Sequence, residues 1–524
     1  MADDTLPRVL RSAASRFADR PAVLDGDVTL TFAGLLAEVR ETARGYARLG
    51  LAPGDRIAVW APNSWRWQVA ALAVSYAGGT LVPLNTRYTG HEVVDVLSRV
   101  HARMVVVDDG FLDREQTAEL RAAAEEAGVD LPVVLPLATD DDDREMTQPP
   151  VLVWPDELTW IPEVDVDAVA DAVSPDDVAD ILFTSGTTGR SKGAMSAHRQ
   201  TVGVARTWGD LGELSDEDRY LVVNPFFHSF GYKAGIVVSL LTGATVVPMP
   251  VFDPTRMMQL IEQQRITVLP GAPTIYSTLL EAPDRDHHDL SSLRFAVTGA
   301  AVVPVALVER MQTELSFDLV LTAFGMTECV VGTMCRRGDP DDVVAGTCGR
   351  VVPGLEMRIA KPGGNESLPA GEEGELLFRG DTVMLGYLDD EEATAETIDA
   401  DGWLHTGDIG KVDDDGYLTI TDRLKDVFFV GGFNVYPAEI EQVLARLDGV
   451  VESAVVGVPD DRLGEIGKAF VVRRAGSELT EADVTAYAKR RMANFKVPRE
   501  VEFVDALPRN LAGKILKREL RGSQ

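Results

Sequence analysis

Residues 184–193 read Thr184-Ser185-Gly186-Thr187-Thr188-Gly189-Arg190-Ser191-Lys192-Gly193, directly after Val178-Ala179-Asp180-Ile181-Leu182-Phe183. The upstream run is short and largely apolar, the pattern of a buried strand. The ten residues after it hold three glycines, five hydroxyl side chains and one lysine. Glycine permits tight turns and close backbone approach, so successive amide N–H groups can be aimed at a phosphate chain. Hydroxyls add donors, and Lys192 adds a mobile positive charge suited to a leaving pyrophosphate. A flexible Gly/Ser/Thr surface loop is the competing reading, and it leaves the order of these residues after a strand unexplained. The run is not the GxxxxGK[ST] P-loop either, because Gly193 rather than a hydroxyl residue follows Lys192. It reads as a nucleotide-phosphate loop of another kind.

A chain of 524 residues is too long for one ordinary core, so two or more domains are expected. Hydrophobic content of 45% with 25% charged residues is globular composition rather than disorder. The net charge of −33 favours solubility and argues against binding nucleic acid or an anionic membrane surface. Anionic cosubstrates therefore require positive charge to be concentrated locally. The three cysteines, Cys329, Cys335 and Cys348, lack metal-ligand spacing, and their odd number points to reduced thiols in a cytoplasm. The start, Met1-Ala2-Asp3-Asp4, is acidic and is not expected to be a secretion signal. The most apolar stretches, 70–84 and 235–251, are cut by Gly and Pro and read as buried helix–strand pairs, not membrane spans.

Up to about residue 425 helical and strand-like patterns alternate. Arg294-Phe295-Ala296-Val297-Thr298 and Asp318-Leu319-Val320-Leu321-Thr322 are strands that run into Gly-containing loops. This is α/β character, with sites expected at strand C-terminal ends. The stretch 140–150, acidic at its start and closing on two prolines, reads as a solvated loop. From Asp426 the pattern changes to a strand, Pro437-Ala438-Glu439-Ile440-Glu441 opening an amphipathic helix, and a strand over 451–458. That suggests a compact α+β unit of about a hundred residues. Residues 484–524 hold ten Lys or Arg against four Asp or Glu. This basic tail is either a solvated surface or a meeting point for an anionic cosubstrate.

Further motifs follow in order: Thr322-Ala323-Phe324-Gly325-Met326-Thr327-Glu328, Trp403-Leu404-His405-Thr406-Gly407-Asp408, Thr421-Asp422-Arg423-Leu424-Lys425-Asp426 with Gly431-Gly432-Phe433-Asn434-Val435-Tyr436-Pro437-Ala438-Glu439, and Pro508-Arg509-Asn510-Leu511-Ala512-Gly513-Lys514. With the phosphate loop, this set resembles the adenylate-forming superfamily of acyl-CoA synthetases, peptide-synthetase adenylation domains and beetle luciferases, over nearly the whole chain. Within it, Asn224-Pro225-Phe226-Phe227-His228-Ser229-Phe230-Gly231-Tyr232-Lys233-Ala234-Gly235 is most similar to the actinobacterial synthetases that activate the propanoate side chain left on the sterol C and D rings. The fold implied is a large N-terminal adenylation domain (1–424) of α/β subdomains plus a distorted β-barrel, and a small mobile α+β lid domain (425–524) hinged at Lys425. An exposed lysine without a role is the plainer reading of Lys425.

The resemblance implies ATP, Mg²⁺ and coenzyme A as cofactor and cosubstrates. It places ATP or AMP against Thr184, Ser185, Gly186, Thr187, Thr188, Gly189, Lys192, Gly299, Ala300, Ala301, Ala323, Phe324, Gly325, Met326 and Thr327, with Asp408 and Arg423 on the ribose and its neighbouring oxygens. A carboxylate is a natural acceptor for paired sugar hydroxyls. Glu328 and Thr188 are the expected Mg²⁺-facing oxygens, hard ligands for a hard cation. Relatives usually carry Tyr where Phe324 stands; a flat face for adenine survives without the hydroxyl. Lys514 is implied as the lysine that reaches the carboxylate and α-phosphate, where two anions must be brought together. Gly431, Gly432 and Phe433 match the loop lining the thiol tunnel, although a Gly-Gly turn is the simpler account. Arg490 and Lys496, with Lys489 and Arg491, are candidate contacts for CoA phosphates. His228 resembles a gate between acyl pocket and thiol path; read alone, it is a core histidine among phenylalanines. Lys233 either meets an oxygen on a polar ring substrate or snorkels. His198 and Arg199 open a helix and read as structural.

The activity implied is ATP-dependent synthesis of an acyl-CoA from a small carboxylate through acyl-AMP, in steroid or fatty acid metabolism. No nucleic-acid or integral membrane partner is expected, and homodimers are common among relatives. The competing functions are a medium-chain or aromatic acyl-CoA synthetase, an enzyme that loads a carrier protein, a luciferase-like oxygenase and a non-enzymatic nucleotide sensor. The segment Phe226-Phe227-His228-Ser229 lacks the carboxylate that holds an amino group in peptide-synthetase domains, which disfavours an amino acid substrate.

Overall fold

The computed structural model describes the chain apart from residues 1–3, 139–150, 154–163, 185–190, 300–302, 304, 424–425, 427, 431–432, 436, 461–462, 493, 495, 510–514 and 522–524. The chain divides into two compact units, residues 1–356 with 379–404 and residues 357–378 with 405–524. Positions 424 and 425, where the domain boundary is expected, fall inside the second unit's range and outside the described residues, and the 140–150 loop is likewise outside them.

The largest sheet of the first unit runs in the order Gly386–Tyr387, Lys192–Ala197, Val178–Thr184, Thr80–Pro83, Arg56–Trp60, Met104–Val107, Val133–Pro136. Its last four strands and Val178–Thr184 are parallel to their neighbours, while Lys192–Ala197 and Gly386–Tyr387 add on antiparallel. Thr80–Pro83 and Met104–Val107 are buried at every residue. Continuous apolar runs of this kind suit parallel strands covered on both faces. Helix Trp65–Tyr76 is buried on nearly every side and leads into strand Thr80–Pro83, the helix–strand pair expected at 70–84. The stretch at 235–251 behaves the same way: a π-helix over Tyr232–Val237 continues as helix Val238–Thr242 into strand Thr245–Pro248.

A second sheet orders Val28–Thr31, Pro21–Asp25, Thr245–Pro248 and Arg219–Val222. In a third, the two strands expected near 294 and 318 lie side by side as Phe295–Gly299 and Leu319–Phe324, parallel, with Gly299 opposite Ala323. The second unit contains strands Gly374–Gly380, Leu404–Val412 and Leu418–Arg423 of a four-stranded sheet and a five-stranded sheet built on the long pair Val450–Asp460 and Gly464–Arg473. Helix Pro437–Leu444 packs Ile440 and Leu444 against Val455, Ala469 and Val471 of that sheet. Proline at its first position costs no hydrogen bond, and Asp422 Oδ2 accepts from Ala438 N at 2.9 Å. The helix and strand read from the sequence at 437–441 and 451–458 are therefore present, within a unit that also takes in residues 357–378 and 405–424.

His198 opens helix His198–Leu211 with its ring buried, and Nδ1 accepts from Leu6 N at 3.3 Å. Burial pushes its pKa down to about 4 from the ordinary 6.5. Between those values the unfolded chain binds a proton that the folded chain does not, so stability falls as pH drops through the window. His198→Gln keeps an acceptor for Leu6 N and removes the titration. Its stability relative to wild type, from urea unfolding, is expected to improve by about 2 kcal/mol between pH 7.5 and pH 5. An unchanged difference between the two proteins would contradict this account.

Candidate active site

The candidate phosphate segment is flanked by the two strands of a β-hairpin. Strand Val178–Thr184 pairs with Lys192–Ala197 so that Phe183 faces Gly193 and Thr184 faces Lys192, and Thr184 Oγ1 donates to the Lys192 carbonyl at 3.4 Å. Ser185, Gly186, Thr187, Thr188 and Gly189 lie outside the described residues; the hairpin holds the two ends of their segment together.

Strand Gly386–Tyr387 adds to the outer edge of this hairpin, Tyr387 opposite Ala194. The Lys192 ammonium then lies 5.0 Å from the centre of the Tyr387 ring, a cation–π contact. The Tyr387 hydroxyl donates to Glu328 Oε1 at 2.7 Å, and Met384 N donates to the Glu328 carbonyl at 2.7 Å. Glu328 is buried and so held at both its backbone and its carboxylate. Burial and the Glu328 charge push the Tyr387 phenol up, which keeps it a donor at neutral pH. The Tyr387 hydroxyl occupies one acceptor site on Glu328 Oε1, and a carboxylate with two oxygens has further capacity for a hard cation. No cluster of three metal-ligating side chains occurs among the described residues. A single carboxylate supplemented by phosphate oxygens is how Mg²⁺ is commonly bound, so this donor set fits Mg²⁺.

The loop carrying Glu328 is tight. A Cβ on Gly325 would lie 1.8 Å from the Val330 carbonyl oxygen, so only glycine fits there. Val330 itself has φ +62, a costly conformation for a β-branched residue. Upstream, a Cβ on Gly299 would meet the Ala323 carbonyl oxygen at 2.5 Å. Gly299, Ala323, Phe324, Gly325, Met326 and Thr327 are thus brought to the ends of two adjacent parallel strands, with Phe324 half-buried. Ala300 and Ala301 lie outside the described residues.

His228 caps the short helix Ser229–Gly231, its Nδ1 accepting from Phe230 N at 3.1 Å. That bond leaves the proton of the neutral ring on Nε2. His228 is exposed at the surface, and the protein packed around its ring holds its pKa below the ordinary imidazole value. Phe226 is buried against Trp67, and Asn63 secures the whole segment. Asn63 Oδ1 accepts from Phe226 N at 2.7 Å, and its Nδ2 is 3.0–3.2 Å from the carbonyls of Val222, Asn224 and Met249. Both expectations for Lys233 are corrected. Its ammonium neither snorkels nor faces a ligand space; it is 1% exposed, 2.9 Å from Asp180 Oδ1 and 2.8 Å from Ser196 Oγ. Burial without a counter-ion is too costly for an ammonium, and Asp180, hidden in an apolar strand pattern, supplies the charge.

In the second unit Asp408 is buried on strand Leu404–Val412 and stands opposite Arg423 in the antiparallel register. Buried Glu375 shapes the approach to it: Oε2 lies 3.1 Å from His405 Nδ1, and Oε1 accepts from Gly407 N at 3.3 Å. Thr406 Oγ1 accepts from Asp408 N at 3.0 Å. Lys425, Gly431, Gly432 and Lys514 lie outside the described residues, and of Phe433 only the backbone, paired with Val430, is described. Arg509 and Ile515 form a β-bridge that brackets the Lys514 segment. The nearby Lys517 is engaged in an ion pair with Glu441 at 2.9 Å. Arg490 caps helix Glu481–Lys489 and is exposed; Lys496 is half-buried. The C-terminal end of a helix itself favours cations, which accounts for part of this basic run.

Tyr387, Asn63 and Asp180, which hold candidate residues of the first unit, and Glu375, which does so in the second, are partners that the sequence reading missed. Ser64 as a helix N-cap marks the neighbourhood of Asn63. A lone Gly386-Tyr387 beyond the Glu328 motif carries no local signal, because its meaning comes from pairing with a strand almost two hundred residues upstream.

A model of the AMP-binding enzyme family matches residues 10–388, and one of the AMP-binding enzyme C-terminal domain matches residues 439–514. The chain is 56% identical over 520 residues to a 3-[(3aS,4S,7aS)-7a-methyl-1,5-dioxo-octahydro-1H-inden-4-yl]propanoyl:CoA ligase of Rhodococcus jostii, covering 99% of this chain and 98% of the relative. It is 53% identical to the ligase of the same description in Mycobacterium tuberculosis, with the same coverage. Among solved structures, ATP-bound MatB from Rhodopseudomonas palustris superposes with a TM-score of 0.84 at 31% identity, covering 100% of this chain and 99% of that one.

Tyr387→Phe keeps the ring under Lys192 but removes the donor to Glu328. It is expected to weaken ATP binding in the presence of Mg²⁺ about tenfold while leaving Mg²⁺-free ATP binding unchanged, as read by titration calorimetry. Equal losses with and without Mg²⁺ would show that the hydroxyl does not act through Glu328.

Proposed function

The chain belongs to the family of AMP-binding enzymes, and from that premise we propose that it is an AMP-forming acid–thiol ligase for a bicyclic, sterol-derived ring propanoate. The end-to-end likeness at 56% identity to a ligase for such an acid carries this reading. ATP and CoA are its substrates.

In the first half-reaction a carboxylate oxygen attacks the α-phosphorus as the bond to pyrophosphate breaks, giving acyl-AMP. Lys192 neutralises the departing pyrophosphate, and Lys514 lowers the repulsion between carboxylate and phosphate. Glu328 and Thr188 would hold Mg²⁺, which would supply neutralisation of phosphate charge there. Asp408 and Arg423 hold the ribose, and Phe324 lies against the adenine. In the second half-reaction the CoA thiol attacks the acyl carbonyl, the thioester forms and AMP leaves. Lys425 is the hinge for the change between half-reactions, and Gly431, Gly432 and Phe433 line the thiol path. Neutral His228 gates that path without placing a charge beside the acyl group. No side chain forms a covalent bond in either step, and none is needed.

Wild-type protein assayed for AMP formation with Mg-ATP, CoA and a panel of acids should prefer the bicyclic indanedione propanoate to octanoate and cinnamate. Preference for either of the others would keep the chemistry and discard the ring substrate; turnover with none would discard both. Lys514→Ala should lose acyl-AMP formation, about 100-fold or more, yet still convert supplied acyl-AMP to thioester. Equal loss of both steps would remove Lys514 from its role.

A further inference from the structure

Lys233 and Asp180 form an ion pair that the chemistry above does not use. Lys233 is 1% exposed and Asp180 0% exposed. Lys233 Nζ is 2.9 Å from Asp180 Oδ1, an ion-pair contact without hydrogen-bond geometry, and donates to Ser196 Oγ at 2.8 Å, while Thr201 Oγ1 donates to Asp180 Oδ2 at 2.6 Å. Asp180 and Ser196 are cross-strand partners in the hairpin that carries the phosphate loop. Lys233 belongs to the π-helix Tyr232–Val237, which continues from the segment bearing His228. The ammonium therefore docks on one rung of the phosphate hairpin and ties to it the element that begins at His228.

We propose that the Lys233–Asp180 pair is a positioning device that sets the acyl-side helix against the phosphate hairpin, and so sets the carboxylate of the acid against the α-phosphate of ATP. The proposal rests on the synthetase reading above. Two physical points carry it. A buried ion pair contributes little net stability compared with apolar residues of the same volume, so its distinctive contribution is directional. That direction is also unusually specific here. A one-residue slip of the hairpin would present Ala179 or Ile181 and Met195 or Ala197 in place of Asp180 and Ser196, all apolar, and leave the ammonium without a partner. The π-helix, a geometry that often marks functional sites, is where the lysine is carried. Lys233 is accordingly a positioning residue, acting through the two elements it joins and not on substrate.

The test compares wild type with Lys233→Met, Asp180→Asn and the double variant Lys233→Met/Asp180→Asn. Each single change strands a buried polar partner and should lower Tm; the double variant removes both charges and should regain Tm. In the refolded double variant, ATP affinity by titration calorimetry should stay within about twofold of wild type. Its kcat for pyrophosphate release should fall about 10- to 100-fold, the scale of loss from small misplacement of reacting groups. The preference for the bicyclic propanoate over octanoate, as a ratio of kcat/KM, should fall with it. A purely structural role would reduce the active fraction equally for all acids and leave KM and the ratio untouched; that result overturns the proposal. A double variant that does not fold makes the pair a stability element and overturns it as well. Wild type inactive towards every acid would instead sink the synthetase reading.

Discussion

The antiparallel pairing of Val178–Thr184 with Lys192–Ala197 is the constraint on which the first unit's site depends. It sets Thr184 opposite Lys192, at the two ends of the proposed phosphate loop. One edge of the hairpin is anchored in the parallel sheet by Leu81 opposite Asp180, and the other receives Gly386–Tyr387. Through that second edge the hairpin governs Glu328, since Tyr387 reaches the carboxylate only because its short strand is registered on Lys192–Ala197. Lysine and phenol are thus placed by a single ladder of backbone hydrogen bonds, and the phenol in turn holds the carboxylate. A ladder is stiff where a loop is not, and placement to fractions of an ångström is what charge stabilisation of a phosphoryl group demands.

Precision of this kind is achieved at some local cost. Val330 adopts φ +62 beside Glu328, and Gly325 and Gly299 sit so close to neighbouring carbonyl oxygens that no side chain is tolerated. A strained residue persists only where its surroundings over-determine it. Here they do: Met384 N holds the Glu328 backbone, Gly332 N donates to Phe324 O at 2.9 Å, and the adjoining strands are buried. The segment around Phe226 uses a different device. Asn63 gathers three carbonyls and one amide from separate segments, doing with one side chain what a strand pairing does elsewhere.

Much of this was legible in the sequence because it is written locally. The strand before the phosphate loop, the parallel pair ending at Gly299 and Phe324, the helix opened by Pro437 and the structural part played by His198 all follow from periodicity, glycine and proline placement, and caps. What could not be read is tertiary. Tyr387 and Glu328 are 59 positions apart, and Asn63 and Val222 are 159 apart. Asp180 interrupts an apolar strand and Lys233 an apolar helix; each alone looks like a flaw in a pattern. Only contact between them shows that the two irregularities answer one another, and burial turns both the snorkelling and the ligand-facing readings of Lys233 aside.

The remaining tension is a protein of net charge −33 whose substrates are anions. Its resolution lies in range. At physiological salt a charge is screened beyond about 8 Å, so most of the 83 acidic residues act weakly on a nucleotide in the site. A cation in contact acts through a less polar medium, where a pair 4 Å apart gains about 4 kcal/mol against about 1 in water. Lys192 is half-buried and steadied over the Tyr387 ring, which keeps it near the loop and partly out of water. Local cations of this kind outweigh a larger number of distant carboxylates. The global charge then bears on solubility and on the rate at which anions arrive, while affinity for an anion is decided by the groups within a few ångströms of it.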